Sequence, residues 1–223
     1  MADPNSHPLK QYLPVKQPKQ RFFTAEEVSN HNTANDCWVV LFGEVYDLTA
    51  IVQKNIANPL TTPLLQAAGT DITYWFDTAS REPRVRTDPT SGQQDFYCPK
   101  GRYLHIDSEG EVKWWKDSSH IIGRLTKKAR RIRIINMIND HCTILEVPSE
   151  EIIKEILTRY LRYNKHGASY VWKRLGRPLD MQKTLSENGI EDEDGEFDRL
   201  DVTHANWYIP AIHLFFSDDL TVA

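Results

Sequence analysis

Cys37, Cys98 and Cys142 are the side chains of this sequence best suited to redox or metal chemistry, and their spacing restricts what they can do. No two of them form a close C-x-x-C pair and their number is odd. That excludes a disulfide framework and a four-cysteine zinc site, and makes a reducing, intracellular compartment the expectation. Carboxylates gather in Glu191-Asp192-Glu193-Asp194-Gly195-Glu196-Phe197-Asp198. Gly195 invites comparison with a calcium loop, but the first-ligand position would then be Ile190, whose side chain has no oxygen. The run reads as a solvated acidic loop. Basic residues gather in Arg124, Lys127, Lys128, Arg130, Arg131 and Arg133. Without stacking aromatics or a nucleic-acid-binding motif beside them, they read as a solvated strand face or a patch that meets an acidic neighbour. No Ser-His-Asp arrangement, phosphate loop, H-E-x-x-H or paired-carboxylate signature occurs, so no enzyme is expected.

The elements that must position these groups fall into two sets. At 223 residues, with a formal net charge of −4, the chain suits two modest domains of about 100 residues each. No segment approaches the ~18 apolar residues of a spanning helix. The N-terminal residues 1–19 are rich in proline, lack the apolar core of a secretory signal, and read as an extended arm. Thr24 and Glu27 have capping-box spacing and predict a short helix. Trp38 to Phe42 and Val45 to Leu48 predict two strands across a Gly43-Glu44 turn. Ala50 to about Phe76 reads as helical, interrupted at Asn58-Pro59 and Pro63. Residues 81 to 117 read as loops with brief strands, in which Trp114 and Trp115 require burial.

A second pattern starts near Arg124. Arg131-Ile132-Arg133-Ile134 alternates as a half-buried strand does, and Cys142 to Val147 predicts its hairpin partner. Ser149 is a suitable helix N-cap, with Glu150 and Glu151 placed to complement the dipole. Ile152, Ile153, Ile156, Leu157, Tyr160 and Leu161 form an apolar stripe at helical spacing. Arg159, Arg162 and Lys165 fall in the last turns, with Gly167 as terminator. Ser169 to Trp172 and Ile209 to Phe216 predict two further strands. The expected fold class is α+β, with one helix laid across a mixed sheet in the second half.

Phe22-Phe23-Thr24-Ala25-Glu26-Glu27-Val28, Cys37-Trp38-Val39-Val40 and Gly43-Glu44-Val45-Tyr46-Asp47-Leu48-Thr49 together resemble the opening of a cytochrome b5 domain. Ala67-Ala68-Gly69-Thr70-Asp71-Ile72-Thr73 with Phe76 looks like that family's second signature. The resemblance implies a haem held by two axial histidines. On this chain those positions fall on Asn55 and Arg81, and neither is a usable iron ligand. Tyr74, Cys98 (in a Cys-Pro pair) and His105 are the substitute haem-ligand candidates. Each also has a structural reading: Tyr74 as a core aromatic, Cys98 as a turn thiol, His105 as a strand residue.

The second half is similar to ubiquitin-like β-grasp domains. The likeness rests on Thr143 to Glu150, on Val171 to Leu179, and on Thr184-Leu185-Ser186-Glu187-Asn188-Gly189-Ile190. The final residues, Ser217 to Ala223, lack the diglycine that conjugation needs, so the domain reads as an interaction module. The expected organisation is an arm over 1–19, a cytochrome b5-like domain over 20–118, and a ubiquitin-like domain over 124–223 with an acidic insertion. That domain order is similar to a family of ciliary cytochrome b5 domain-containing proteins, and Phe215 to Thr221 adds to the likeness. The resemblance implies a non-catalytic axonemal protein of the radial spoke stalk, with partners in the stalk and elsewhere in the axoneme. It links the chain to coordinated ciliary beating and redox signalling. A haem-binding redox sensor and a ubiquitin-pathway adaptor are the alternatives; nucleic acid and membrane are not expected partners.

Overall fold

The computed structural model describes residues 21–87, 89–106, 110, 112–201 and 208–216. The expected arm at 1–19 and the tail from Ser217 lie outside the described residues.

The first unit begins with β1 (Phe22–Phe23) and α1 (Ala25–Ser29). The helix opens at the capping box: Thr24 Oγ1 accepts from the Glu27 N–H at 3.1 Å, and a Glu27 carboxylate oxygen accepts from the Thr24 N–H at 3.0 Å. Next come β2 (Asn32–Thr33), β3 (Asp36–Leu41), β4 (Glu44–Asp47), α2 (Thr49–Lys54) and α3 (Thr62–Gln66). Pro59 acts as expected, opening a 3₁₀ turn at Pro59–Thr61 after α2. Pro63, however, sits in the first turn of α3, where a missing N–H is tolerated, and α3 ends at Gln66, short of the expected Phe76. Two residues, Phe42 and Gly43, turn β3 into β4, with φ of 52° and 76°. That mirror-type turn matches strand twist but disfavours phenylalanine. Thr73 holds it in place, its hydroxyl accepting from the Phe42 N–H at 2.8 Å. The second signature segment lies along β3, where Val40 exchanges bonds with Thr70 and Ile72 at 3.0 and 2.9 Å.

After a small hairpin of β5 (Val85–Thr87) and β6 (Gln94–Phe96), β7 (Ile121–Leu125) returns to the first sheet. The sheet order is β1-β7-β4-β3-β2, with β1 parallel to β7. The passage from one sheet to the other therefore falls at residues 126–128.

The second unit is β8 (Ala129–Asn136), β9 (His141–Pro148), α4 (Ile153–Tyr160), β10 (Tyr170–Arg174), β11 (Arg177–Pro178), α5 (Asp194–Arg199) and β12 (Ala211–Phe216). Its sheet order is β11-β10-β12-β8-β9, with β12 parallel to β8 and every other pair antiparallel. A parallel central pair, β12 and β8, with β9 antiparallel on one side, the β10–β11 hairpin on the other and one helix across the face, is the β-grasp arrangement. Ile153, Ile156 and Tyr160 of α4 pack on Ile132, Ile134, Leu145, Val147, Trp172, Ile212 and Leu214.

Two details differ from the sequence expectation. The long helix starts at Ile153 rather than after Ser149. Its first amides are satisfied from elsewhere in the chain: the N–H groups of Ile153 and Lys154 donate to the carbonyls of Lys183 and Met181, each at 2.9 Å. Glu150 and Glu151 are thereby freed for other work. The basic run is not one solvated face either. Arg130 shares the inward register of Ile132 and Ile134 and is buried, donating to the carbonyls of Ile190 and Glu191 at 2.8 and 2.6 Å. The expected acidic loop at 191–198 is helical from Asp194 onward, as α5, and Lys128 pairs with Asp192 and Asp194, so this segment is itself an acidic neighbour of the run.

Candidate functional site

Asn55 and Arg81, the residues on which the resemblance places the axial ligands, make local contacts. Asn55 ends α2, where its side-chain amide donates to the Ile51 carbonyl at 2.9 Å and its own carbonyl accepts from Thr61 Oγ1 at 2.7 Å. Arg81 sits in the left-handed region at φ 57° and is exposed. Its guanidinium lies 5.1 Å from the centroid of the Phe42 ring, a cation–π contact that covers the strained hairpin turn.

The substitute candidates are spread over three loops. Tyr74 is not a core aromatic: it is 47% exposed, and in its 3₁₀ turn Trp75 takes the interior place. Cys98 is half-buried and borders the first core, as a turn thiol would. His105 is not in a strand; it lies half-buried in a turn with φ 68°. Among the described residues, no group of three or more His, Cys, Asp or Glu is placed to hold a metal ion.

The core of the first unit, which Cys98 borders, is filled by side chains. Trp75, Phe76, Tyr103, Trp114 and Trp115 are all buried, and ring contacts through Tyr103 and Phe76 link them into one cluster. Trp75 and Tyr103 lie 5.1 Å apart, Phe76 and Trp115 5.7 Å, and Trp114 and Trp115 5.4 Å at 84°. Edge-to-face packing of this kind suits the ring quadrupoles, and each ring hides roughly 150–250 Å². Tyr46 closes the cluster against Trp114 at 6.1 Å. Trp115 donates to a Glu82 carboxylate oxygen at 3.3 Å, and Lys116 pairs with the same side chain. Trp114 and Trp115 thus obtain the burial their types demand. Tyr103 comes from a turn-rich stretch whose pattern carries no core signal, and it is the residue that sequence reasoning misses.

This arrangement does not fit haem. Indole nitrogens only donate hydrogen bonds and cannot bind iron. Two buried phenols stand in this cluster: Tyr46, whose ionisation is pushed up by burial and then by the charge of Glu44, and Tyr103. For Tyr103, burial first, and then the charges of Cys98 and Glu82, push its ionisation well above the ordinary tyrosine range, so it stays a neutral phenol. An amide at 55 and a guanidinium at 81, where the resemblance implies axial histidines, supply no ligand pair, and the rings of the first core pack on one another.

Residues 24–143 match the family described as Cytochrome b5-like Heme/Steroid binding domain. The chain is 46% identical over 212 residues to Cytochrome b5 domain-containing protein 1 of Xenopus laevis, covering 91% of this chain and 97% of that protein. Its identity to the Homo sapiens protein of the same name is 43% over 212 residues, covering 91% and 92%. A solved structure, Caldiarchaeum Subterraneum Ubiquitin, aligns at 16% identity with a TM-score of 0.31, covering 40% of this chain and 95% of that one. No helix among the described residues is long and apolar enough to cross a membrane. Matched along nine-tenths of its length, the chain belongs to the cytochrome b5 domain-containing protein 1 family.

Proposed function

We propose that the chain is a non-catalytic structural subunit of the ciliary axoneme, seated in the radial spoke stalk and supporting coordinated beating. Its first unit acts as a folded module without haem. The packing of Trp75, Phe76, Tyr103, Trp114 and Trp115 carries this reading, because a b5-like unit filled by its own side chains has lost the cofactor that makes the fold an electron carrier. The axonemal placement extends the resemblance, drawn from domain order and motifs, to ciliary proteins with a b5-like and a ubiquitin-like domain. Partners are then stalk subunits and other axonemal proteins, met through surfaces rather than through a reaction. The redox-sensor and ubiquitin-adaptor alternatives draw no support from the positions of Tyr74, Cys98 and His105. Fractionation of cilia tests the placement. The protein is expected to stay with detergent-extracted axonemes and to leave with the spokes in high salt; release with the detergent-soluble fraction would contradict it.

A further inference from the structure

Arg159 is one of the basic residues that the sequence pattern assigns to the last turns of α4, and its side chain is only 6% exposed. Its Nε and Nη2 grip both oxygens of Glu151, also buried, at 2.6 and 2.7 Å. The same guanidinium crosses to the first unit. Nη1 donates to a Glu27 carboxylate oxygen, and Nη2 to the Phe22 carbonyl of β1 at 2.9 Å. Glu27 therefore has two tasks, closing the capping box of α1 with one oxygen and taking Arg159 with the other. The connection between the sheets is only residues 126–128, and it is fastened separately. Glu150 accepts from the Lys127 N–H at 2.9 Å and from the Thr126 hydroxyl, while the Ser149 N–H donates to the Lys128 carbonyl at 3.0 Å.

Two units joined by a short connector keep a hinge unless something away from the connector opposes rotation. We infer that Arg159, tied to Glu27 and Phe22, together with Glu150 on the connector, locks the b5-like and β-grasp units into one rigid body. The lock is built to be specific. Glu151 keeps Arg159 neutralised and oriented whether or not the interface is closed, so the buried cation is never left alone. Only the half of the contact that crosses the interface changes on opening. The inference stands independently of the cofactor and of the axonemal placement, and its failure would leave both untouched.

Trypsin can read the lock in the full chain, because Lys127 and Lys128 lie in the connector and cleavage there follows its opening. Glu27→Gln removes the crossing carboxylate but keeps Arg159 on Glu151 and keeps an oxygen able to cap Thr24. It is expected to speed cleavage at Lys127 and Lys128 by about tenfold, the ratio that loss of a charge-assisted hydrogen bond gives. Far-UV circular dichroism should not change, and small-angle scattering should show a larger radius of gyration. Glu150→Gln should raise the same cleavage from the connector side. Thr24→Ala removes the cap while leaving Glu27 on Arg159, and should cleave at the wild-type rate. Unchanged cleavage in both glutamine variants would overturn the inference. So would an equal rise in Thr24→Ala, which would assign the effect to the helix cap.

Discussion

Among the described residues, the buried Tyr103 hydroxyl meets no hydrogen-bond partner, and the buried indole N–H groups of Trp75 and Trp114 are in the same condition. An interior that accepts such costs does so for ring packing, which separates shape from polarity at each position. Trp114→Ala is expected to cost about 3–5 kcal/mol, since a hole opens in a closed cluster. Tyr103→Phe keeps the shape and removes the unsatisfied hydroxyl, so it should leave stability unchanged or raise it by about 1 kcal/mol. Urea unfolding curves of the two variants measure both. The cysteines differ on the same ground. Burial, and then the carboxylates of Asp47 and Asp36, push the Cys37 thiol up to about 11, while Cys142 is exposed. Iodoacetamide at pH 8 is expected to label Cys142 in the folded protein and Cys37 only after denaturation, read by peptide mass. Labelling of Cys37 at the rate of Cys142 would contradict the closed first core.

At the scale of elements, the sheets are fastened at points where one residue type is required. Gly123 in β7 faces β1 so closely that a Cβ would stand 2.2 Å from the Arg21 carbonyl oxygen and 2.6 Å from the Phe23 ring. Gly123→Ala should therefore push β1 off the sheet and cost about 3 kcal/mol, measured by thermal unfolding. The connector brings a pH dependence. Burial raises the Glu150 carboxyl, but hydrogen bonds from Thr126, Lys127 and Ser149 outweigh it, so its folded-state value lies below the ordinary 4.5. A depressed carboxyl contributes stability above its unfolded value and loses it as pH falls through the folded one. The urea midpoint should thus drop below pH 4.5 in the wild type, and less steeply in Glu150→Gln.

These same elements separate what the sequence makes legible from what it does not. The Thr24–Glu27 cap, the break at Pro59, and the Arg131 to Ile134 alternation act locally, so spacing alone locates them. The start of α4 is not legible, because the carbonyls that satisfy its amides belong to Met181 and Lys183, nearly 30 residues later. Arg130 is legible in principle: period two places it on the inner face with Ile132 and Ile134, a signal that its charge obscures.

On the scale of the whole molecule, the order of a b5-like unit and a β-grasp unit was readable from motif spacing, and so was the absence of histidine at 55 and 81. What fills the first unit was not. Tyr103 reaches its interior from a loop by contacts far apart in sequence, and no periodicity announces it. Arg159 was hidden for a similar reason, because helical spacing gives its direction on α4 but not the neighbour waiting there. Together these residues give a chain whose first unit holds itself closed and whose two units are fastened side by side. The central claim is that the first unit is complete without a cofactor, and hemin titration of protein purified free of haem tests it most directly. The account predicts a Soret band no different from hemin with a non-binding control protein, in oxidised and reduced samples alike, and no change in melting temperature. A saturable, shifted Soret band at one hemin per chain, with a raised melting temperature, would contradict it.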